Sequence, residues 1–215
     1  MEEEIIEDQE PWHKSPIRWI LSIFLILIIL SWLIPTYAVK LDPSPNYIPK
    51  IEETFLFPSG NETGNMSNSD DYLKLIGPSN PLIKQTANKI ISLSGCKSSK
   101  TCNAKAIFYF TRDNIGYVND PVRSEYLSTA VQTLNTQVGD CDDSAILLSN
   151  LLQAIGIPTR FVFIPSHVYV QAYLPEAMKK YKTSENWVNL DPTCQSCEFG
   201  EIPYQNQNKH KSYLG

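Results

Sequence analysis

Basic charge is scarce in this chain. Eighteen Lys and Arg face 23 Asp and Glu, for a net charge of -5, and the surplus acid lies in the first ten residues, where Glu2, Glu3, Glu4, Glu7, Asp8 and Glu10 stand without a base. The remainder holds 18 bases against 17 acids, so it offers no basic face, and nucleic acid is excluded as a partner. Internal repeats and low-complexity tracts are also missing. Charge of either sign is missing altogether from Trp19 to Val39.

That uncharged run is the first positive signal. At 1.5 Å per residue, about 21 residues reach roughly 30 Å, the thickness of a bilayer's hydrocarbon core. Trp19, Trp32 and Tyr37 stand near its ends, as interfacial aromatics do. Residues 19–39 are therefore expected to form one transmembrane helix, with residues 1–18 as a disordered acidic leader. A cleaved signal peptide is the rival reading, against which stand the acidic leader and the length of the apolar run. Lys14 and Arg18 on one side are matched by Lys40 and Lys50 on the other, so positive charge does not set the orientation. Two glycosylation sequons, at Asn61 and Asn65, and paired cysteines favour an extracytoplasmic globular part on a single-pass membrane protein.

With 215 residues and 42% hydrophobic content, one domain of ordinary size fits after the anchor. Residues 40–69, with Pro43, Pro45, Pro49, Pro58, Gly60 and Gly64 and no sustained apolar period, read as a linker, which leaves residues 70–215 for the domain. Asn80-Pro81 marks a helix start, with Leu82, Ile83, Ala87, Ile90 and Ile91 on one apolar face. A second helix is expected over Asn103–Asn114 and a third over Asp142–Ile155, ended by Gly156 and Pro158. Arg160–Ile164, His167–Leu174 and Trp187–Asp191 alternate as strands of an antiparallel sheet.

Gly139-Asp140-Cys141-Asp142-Asp143 opens the third helix, and His167 and Asp191 follow on two strands. Alternation puts His167 with Tyr169, Gln171 and Tyr173, and Asp191 with Asn189 and Trp187, so the two can lie side by side facing the helix that begins at Cys141. The order suits a cysteine nucleophile, a histidine base and an aspartate that orients the imidazole, in acyl transfer through a thioester. A helix amino terminus and a neighbouring histidine are expected to lower the thiol pKa, with Asp140 and Asp142 pointing away into hydrogen bonds. The acyl oxygen would meet the backbone N–H of Cys141 and a second donor, for which Asn135 and Gln137 are the nearby amides.

Thr133-Leu134, Gly139 to Ala145, Gly156-Ile157-Pro158-Thr159-Arg160, His167-Val168-Tyr169-Val170 and Leu190-Asp191-Pro192-Thr193 together resemble the transglutaminase-like superfamily. The resemblance covers roughly Asp70 to Tyr204 and implies an α+β, papain-like core with helices packed on an antiparallel sheet. It carries Cys141, His167 and Asp191 over as the triad. It implies a peptidase or amidase acting on a protein or peptide substrate, with glutamine cross-linking to amines and a non-catalytic binding domain as alternatives. Animal cross-linking enzymes have a tryptophan after the nucleophile where this chain has Asp142, which counts against cross-linking.

Cys96, Cys102, Cys194 and Cys197 remain, as disulfides or as ligands of a structural zinc. In either case they would clamp the loop beyond Asp191. No cofactor is expected to be required. Calcium in particular is not expected, because two carboxylates flanking the nucleophile do not define the six or more oxygens it takes.

Overall fold

The structure is a computed structural model that describes residues 16–55, 71–120 and 126–215. The chain divides into two compact units, one ending at Leu41 and one running from Asp42 to Gly215. In the first, α1 (Pro16–Leu41) is one helix, exposed from Pro16 to Ile34 and apolar enough over that stretch to cross a membrane by length and composition. A signal sequence fits the same description. The acidic leader up to Ser15 and both sequons lie outside the described residues.

The second unit contains, in order, α2 (Ile51–Thr54), α3 (Asp71–Lys74), α4 (Pro81–Leu93), α5 (Lys100–Asn114), β1 (Gly116–Tyr117), α6 (Ala130–Thr136), β2 (Val138–Gly139), α7 (Cys141–Ala154), β3 (Thr159–Ile164), β4 (His167–Tyr173), β5 (Trp187–Leu190) and β6 (Ser212–Leu214). Strands β5-β4-β3-β6 form an antiparallel sheet in that order, and β1 and β2 pair in parallel as a separate ribbon. Helices on an antiparallel sheet are the expected α+β arrangement.

Local chemistry explains the helices. The Asn80 side chain accepts the Leu82 N–H at 2.9 Å with Pro81 in the first turn, and Ile83, Ala87 and Ile90 bury one face of α4. Ser99 caps α5, which begins three residues earlier than its apolar pattern suggests because the cap lies ahead of that pattern. Asp140 caps α7, and Ala145, Ile146, Leu147, Leu148, Leu151 and Leu152 are fully buried along it. Such an all-round apolar helix must be central. It packs on α4, α5 and α6 and on β3 and β4, and it stops at Gly156, whose φ of +75° favours glycine.

Residues 42–55 of the expected linker are part of the domain. Lys105 Nζ donates to Asp42 Oδ1 at 2.5 Å, and Asn46 N–H donates to Ser94 O at 3.0 Å. Asn114 takes the Ile51 N–H and donates to Pro49 O, while Ile51 and Phe55 are 1% and 2% exposed. The prolines thus stiffen a strap whose polar groups find partners on α4 and α5. The remaining linker, residues 56–69, lies outside the described residues.

Candidate active site

Cys141 is the first residue of α7, a half-buried thiol outside both disulfides. The turn before it is sterically set. A Cβ on Gly139 would lie 2.6 Å from Asp143 Cβ, so only glycine lets β2 pass this close to the helix. Asp140 Oδ1 accepts the Asp142 and Asp143 N–H groups at 2.9 and 3.3 Å, satisfying the exposed donors of the first turn. Asp143 is buried and accepts the Ser128 N–H at 2.7 Å, so its carboxylate clamps a loop.

A two-residue hairpin, Pro165-Ser166 with Ser166 at φ +62°, joins Ile164 to His167 in register and starts β4 on the histidine. Asp191 follows β5 and is 1% exposed. His167 Nε2 and Asp191 Oδ2 are 2.8 Å apart, which leaves Nδ1 as the other ring nitrogen. Asp191 Oδ1 accepts two further bonds from Thr193, from its N–H at 3.2 Å and its hydroxyl at 2.8 Å. A cavity of about 270 Å³ opens here, lined among others by His167, Asp191, Thr193, Cys194, Asn206 and Lys209.

The structure therefore joins His167 and Asp191 directly, on the strand face that alternation assigns to both. Contrary to expectation, that face does not turn toward α7. Val168, Val170, Ala172, Val188 and Leu190 share the core with α7, while Tyr169 clusters with Val162, Ile164 and Ile202 on the other side. The helix takes the purely apolar face because burying it gains most. Cys141 instead meets the end of the sheet, where the Val168 N–H bonds its sulfur.

The electrostatics differ from expectation too. Burial pushes the Cys141 thiol up to about 12, Asp142 and Asp140 add to this, and the Val168 N–H opposes it. Asp140 does point into backbone hydrogen bonds, but Asp142 does not point away, its Oδ1 lying 3.6 Å from the sulfur. Burial and the neighbouring Asp142 and Asp143 push Asp140 up to about 7. Carboxylates crowded on one turn outweigh the favourable end of the helix dipole.

Two tyrosines complete the surroundings. Tyr72 of α3 is buried edge-on against Phe161 and Phe163, and its hydroxyl bonds Asp142. Tyr117 is raised above its ordinary value by burial and then by Cys141, Asp140, Asp142 and Asp191. Neither is signalled in the sequence, because both come from distant segments without a motif. Thr193 was legible only as part of the Leu190 to Thr193 block. Gln137 ends α6 at φ +57°, and its carbonyl accepts the Gly116 N–H at 2.8 Å. Among the described contacts, nothing brings Asn135 or the Gln137 amide to the thiol.

The four other cysteines form Cys96–Cys102 and Cys194–Cys197. This corrects the structural-zinc alternative, since thiolates consumed in disulfides cannot ligate a metal.

The fold has solved neighbours. A candidate cysteine protease from Cytophaga hutchinsonii shares 20% identity at a TM-score of 0.45 over 69% of this chain, which spans about half (48%) of that protein. LapG of Legionella pneumophila in an EGTA-treated form matches at 18% identity and TM-score 0.45, over 71% of this chain and 84% of that one. Its calcium-bound form matches at 20% and 0.44, over 66% and 80%. At such identities the likeness is one of fold. Curated protein sequences gave no match.

The expectation that calcium has no place and that no cofactor is required is corrected by these neighbours, because LapG has been solved both with calcium and after EGTA treatment. Among the described residues, ligand atoms of Asp140, Cys141 and Asp142 lie within 4.8 Å of one another, and the two carboxylates supply hard oxygens of the kind calcium takes. The model of the transglutaminase-like superfamily matches residues 84–192, just over half of the sequence and all three proposed site residues, and this chain belongs to that superfamily.

Proposed function

We propose that this protein is a membrane-anchored cysteine peptidase or amidase, with Cys141 as nucleophile, His167 as base and Asp191 as the group that orients the imidazole. The observation that carries the reading is the 2.8 Å bond between His167 and the buried Asp191, in a domain whose one free thiol, Cys141, stands at a helix amino terminus. Asp191 holds Nε2, so Nδ1 takes the thiol proton. The thiolate adds to the acyl carbon, and the backbone N–H of Cys141 donates to the oxygen that gains charge. His167 then protonates the leaving amine, a thioester remains on Cys141, and water activated by the same imidazole releases the acid.

A thiol held at about 12 is a resting state. Asp142 is the group to neutralise, and Asp140 and Asp142 are the residues that would hold calcium, whose charge would offset theirs. The two disulfides support an oxidising, extracytoplasmic location for the domain, and α1 supports a single-pass anchor.

The test is the rate at which iodoacetamide alkylates Cys141 at pH 7 with calcium present, followed by mass spectrometry. Wild type is expected to react at least tenfold faster than His167→Ala, on the order of one thiol pKa unit. Equal rates would remove the proposed base. Incorporation of a labelled primary amine in place of hydrolysis would move the reading to amine transfer.

A further inference from the structure

We propose that the turn from Asp191 to Cys197 is a reducible positioning element: Thr193 aims the Asp191 carboxylate at His167, the Cys194–Cys197 bond holds Thr193, and a dithiol reductant turns the site down. The inference rests on the triad reading above, and it concerns three residues, Thr193, Cys194 and Cys197, to which that reading gives no part in the reaction.

Asp191 is the first link. Its buried carboxylate has one oxygen on His167 and the other on the two donors of Thr193. Without the Thr193 hydroxyl, Oδ1 loses its shorter bond in a place water reaches poorly, and the carboxylate is no longer fixed in rotation. Thr193 is thus a positioning residue, acting on His167 through Asp191.

The disulfide is the second link. Cys194 N–H donates to Asp191 O at 3.3 Å and Cys197 N–H to Cys194 O at 3.1 Å, so Thr193 lies in the Asp191–Cys194 turn, one residue ahead of the loop that the Cys194–Cys197 bond closes. One end of this coil is fixed to α5: Arg112 Nη1 donates to Cys197 O at 2.8 Å, and Gln195 Nε2 donates to Arg112 O at 2.9 Å. The other end lines the cavity shared with His167 and Asp191. The bond ties the end of the turn that carries Thr193 to the end that α5 holds.

Accessibility makes the bond selective. Cys197 is 5% exposed and Cys194 is partly exposed, whereas Cys96 and Cys102 are buried at 6% and 2%. A dithiol's thiolate can attack the Cys194 sulfur, releasing Cys197 as thiolate. The second thiol of the reductant then attacks the mixed disulfide and closes a ring. Two electrons and two protons pass from the dithiol to Cys194 and Cys197, and the dithiol leaves as a cyclic disulfide. Only in this pair does an accessible sulfur adjoin a proposed site residue.

The full chain in detergent micelles, with calcium, supports a direct test. Dithiothreitol is applied, removed by desalting without air, and Cys141 alkylation by iodoacetamide is then followed by peptide mass spectrometry. Thr193→Val is expected to slow alkylation about tenfold, as loss of a hydrogen bond to a charged group would, and Thr193→Ser to stay within about twofold because it keeps the hydroxyl. Reduction of Cys194–Cys197 is expected to slow wild type similarly. Cys194→Ser/Cys197→Ser should match reduced wild type and be insensitive to dithiothreitol, while Cys96→Ser/Cys102→Ser keeps the response. Loss in Thr193→Ser equal to that in Thr193→Val, or a reduced Cys194–Cys197 pair with unchanged Cys141 reactivity, would overturn the proposal. A wild-type rate no faster than that of His167→Ala would instead overturn the triad beneath it.

Discussion

At the scale of single residues, the first turn of α7 carries opposed demands. Asp140 is needed as a cap, yet burial and then the neighbouring Asp142 and Asp143 raise its carboxyl to about 7. A folded-state value above the ordinary one means that its contribution to stability is full below about pH 4 and is lost as pH rises through about 7. Asp140→Asn keeps a capping side chain and removes the titration. In EGTA, its melting temperature is expected to fall less than that of wild type between pH 5 and 7. Parallel curves would show that Asp140 is not the source. Asp142→Asn bears on the thiol itself. Removing the negative charge beside the sulfur lowers the Cys141 value, so calcium-free alkylation at pH 7 should rise about tenfold for each unit it falls. An unchanged rate would clear Asp142 of holding the thiol protonated.

At the scale of elements, α7 carries most of the load because it lies between helices and sheet. Leu148 and Leu151 are fully buried, and replacing either by Ala is expected to cost about 2–5 kcal/mol in chemical denaturation. A loss under 1 kcal/mol would mean that the core collapses around the gap. The elements legible in the sequence were those with a period. α4, α5, α7, β3, β4 and β5 all fall where apolar spacing or alternation put them, within a few residues. β1, β2 and β6 were not legible, since strands of two or three residues contain no period. Their formation is decided by partners: Val138 and Gly139 become a strand because Gly116 and Tyr117 lie alongside.

At the scale of the whole molecule, the globular unit begins at Asp42. Asp42 accepts from Lys105, Tyr181 and Lys180. Burial raises its pKa, but those three bonds together hold it below the ordinary value of 3.8. This stabilisation is present above about pH 4 and disappears as pH falls through the lower folded value. Asp42→Asn should therefore melt lower than wild type at pH 7 and converge with it in acid. The strap below Asp42 also fills space. A chain starting at residue 70 loses Ile51 and Phe55, each about 1.5–3 kcal/mol of burial, from a domain whose whole stability is on the order of 10 kcal/mol. It is expected to melt well below one starting at Asp42, and equal melting would show the strap to be dispensable.

The linear sequence determined where periodic elements run, that one segment is apolar over a membrane's thickness, and which residues form the family's ordered blocks. Those properties are local, set by side-chain spacing within a segment. Tertiary structure alone decided that the proline-rich strap is domain, that the cysteines pair with their near neighbours, and that acids oppose the thiol they flank. The first depends on distances between segments far apart in the chain, and the other two on burial and side-chain geometry that linear order leaves open. Cys141 belongs to both accounts: its place at the start of a helix could be read from the sequence, but its raised pKa follows from burial and from an Asp142 carboxylate held close by folding.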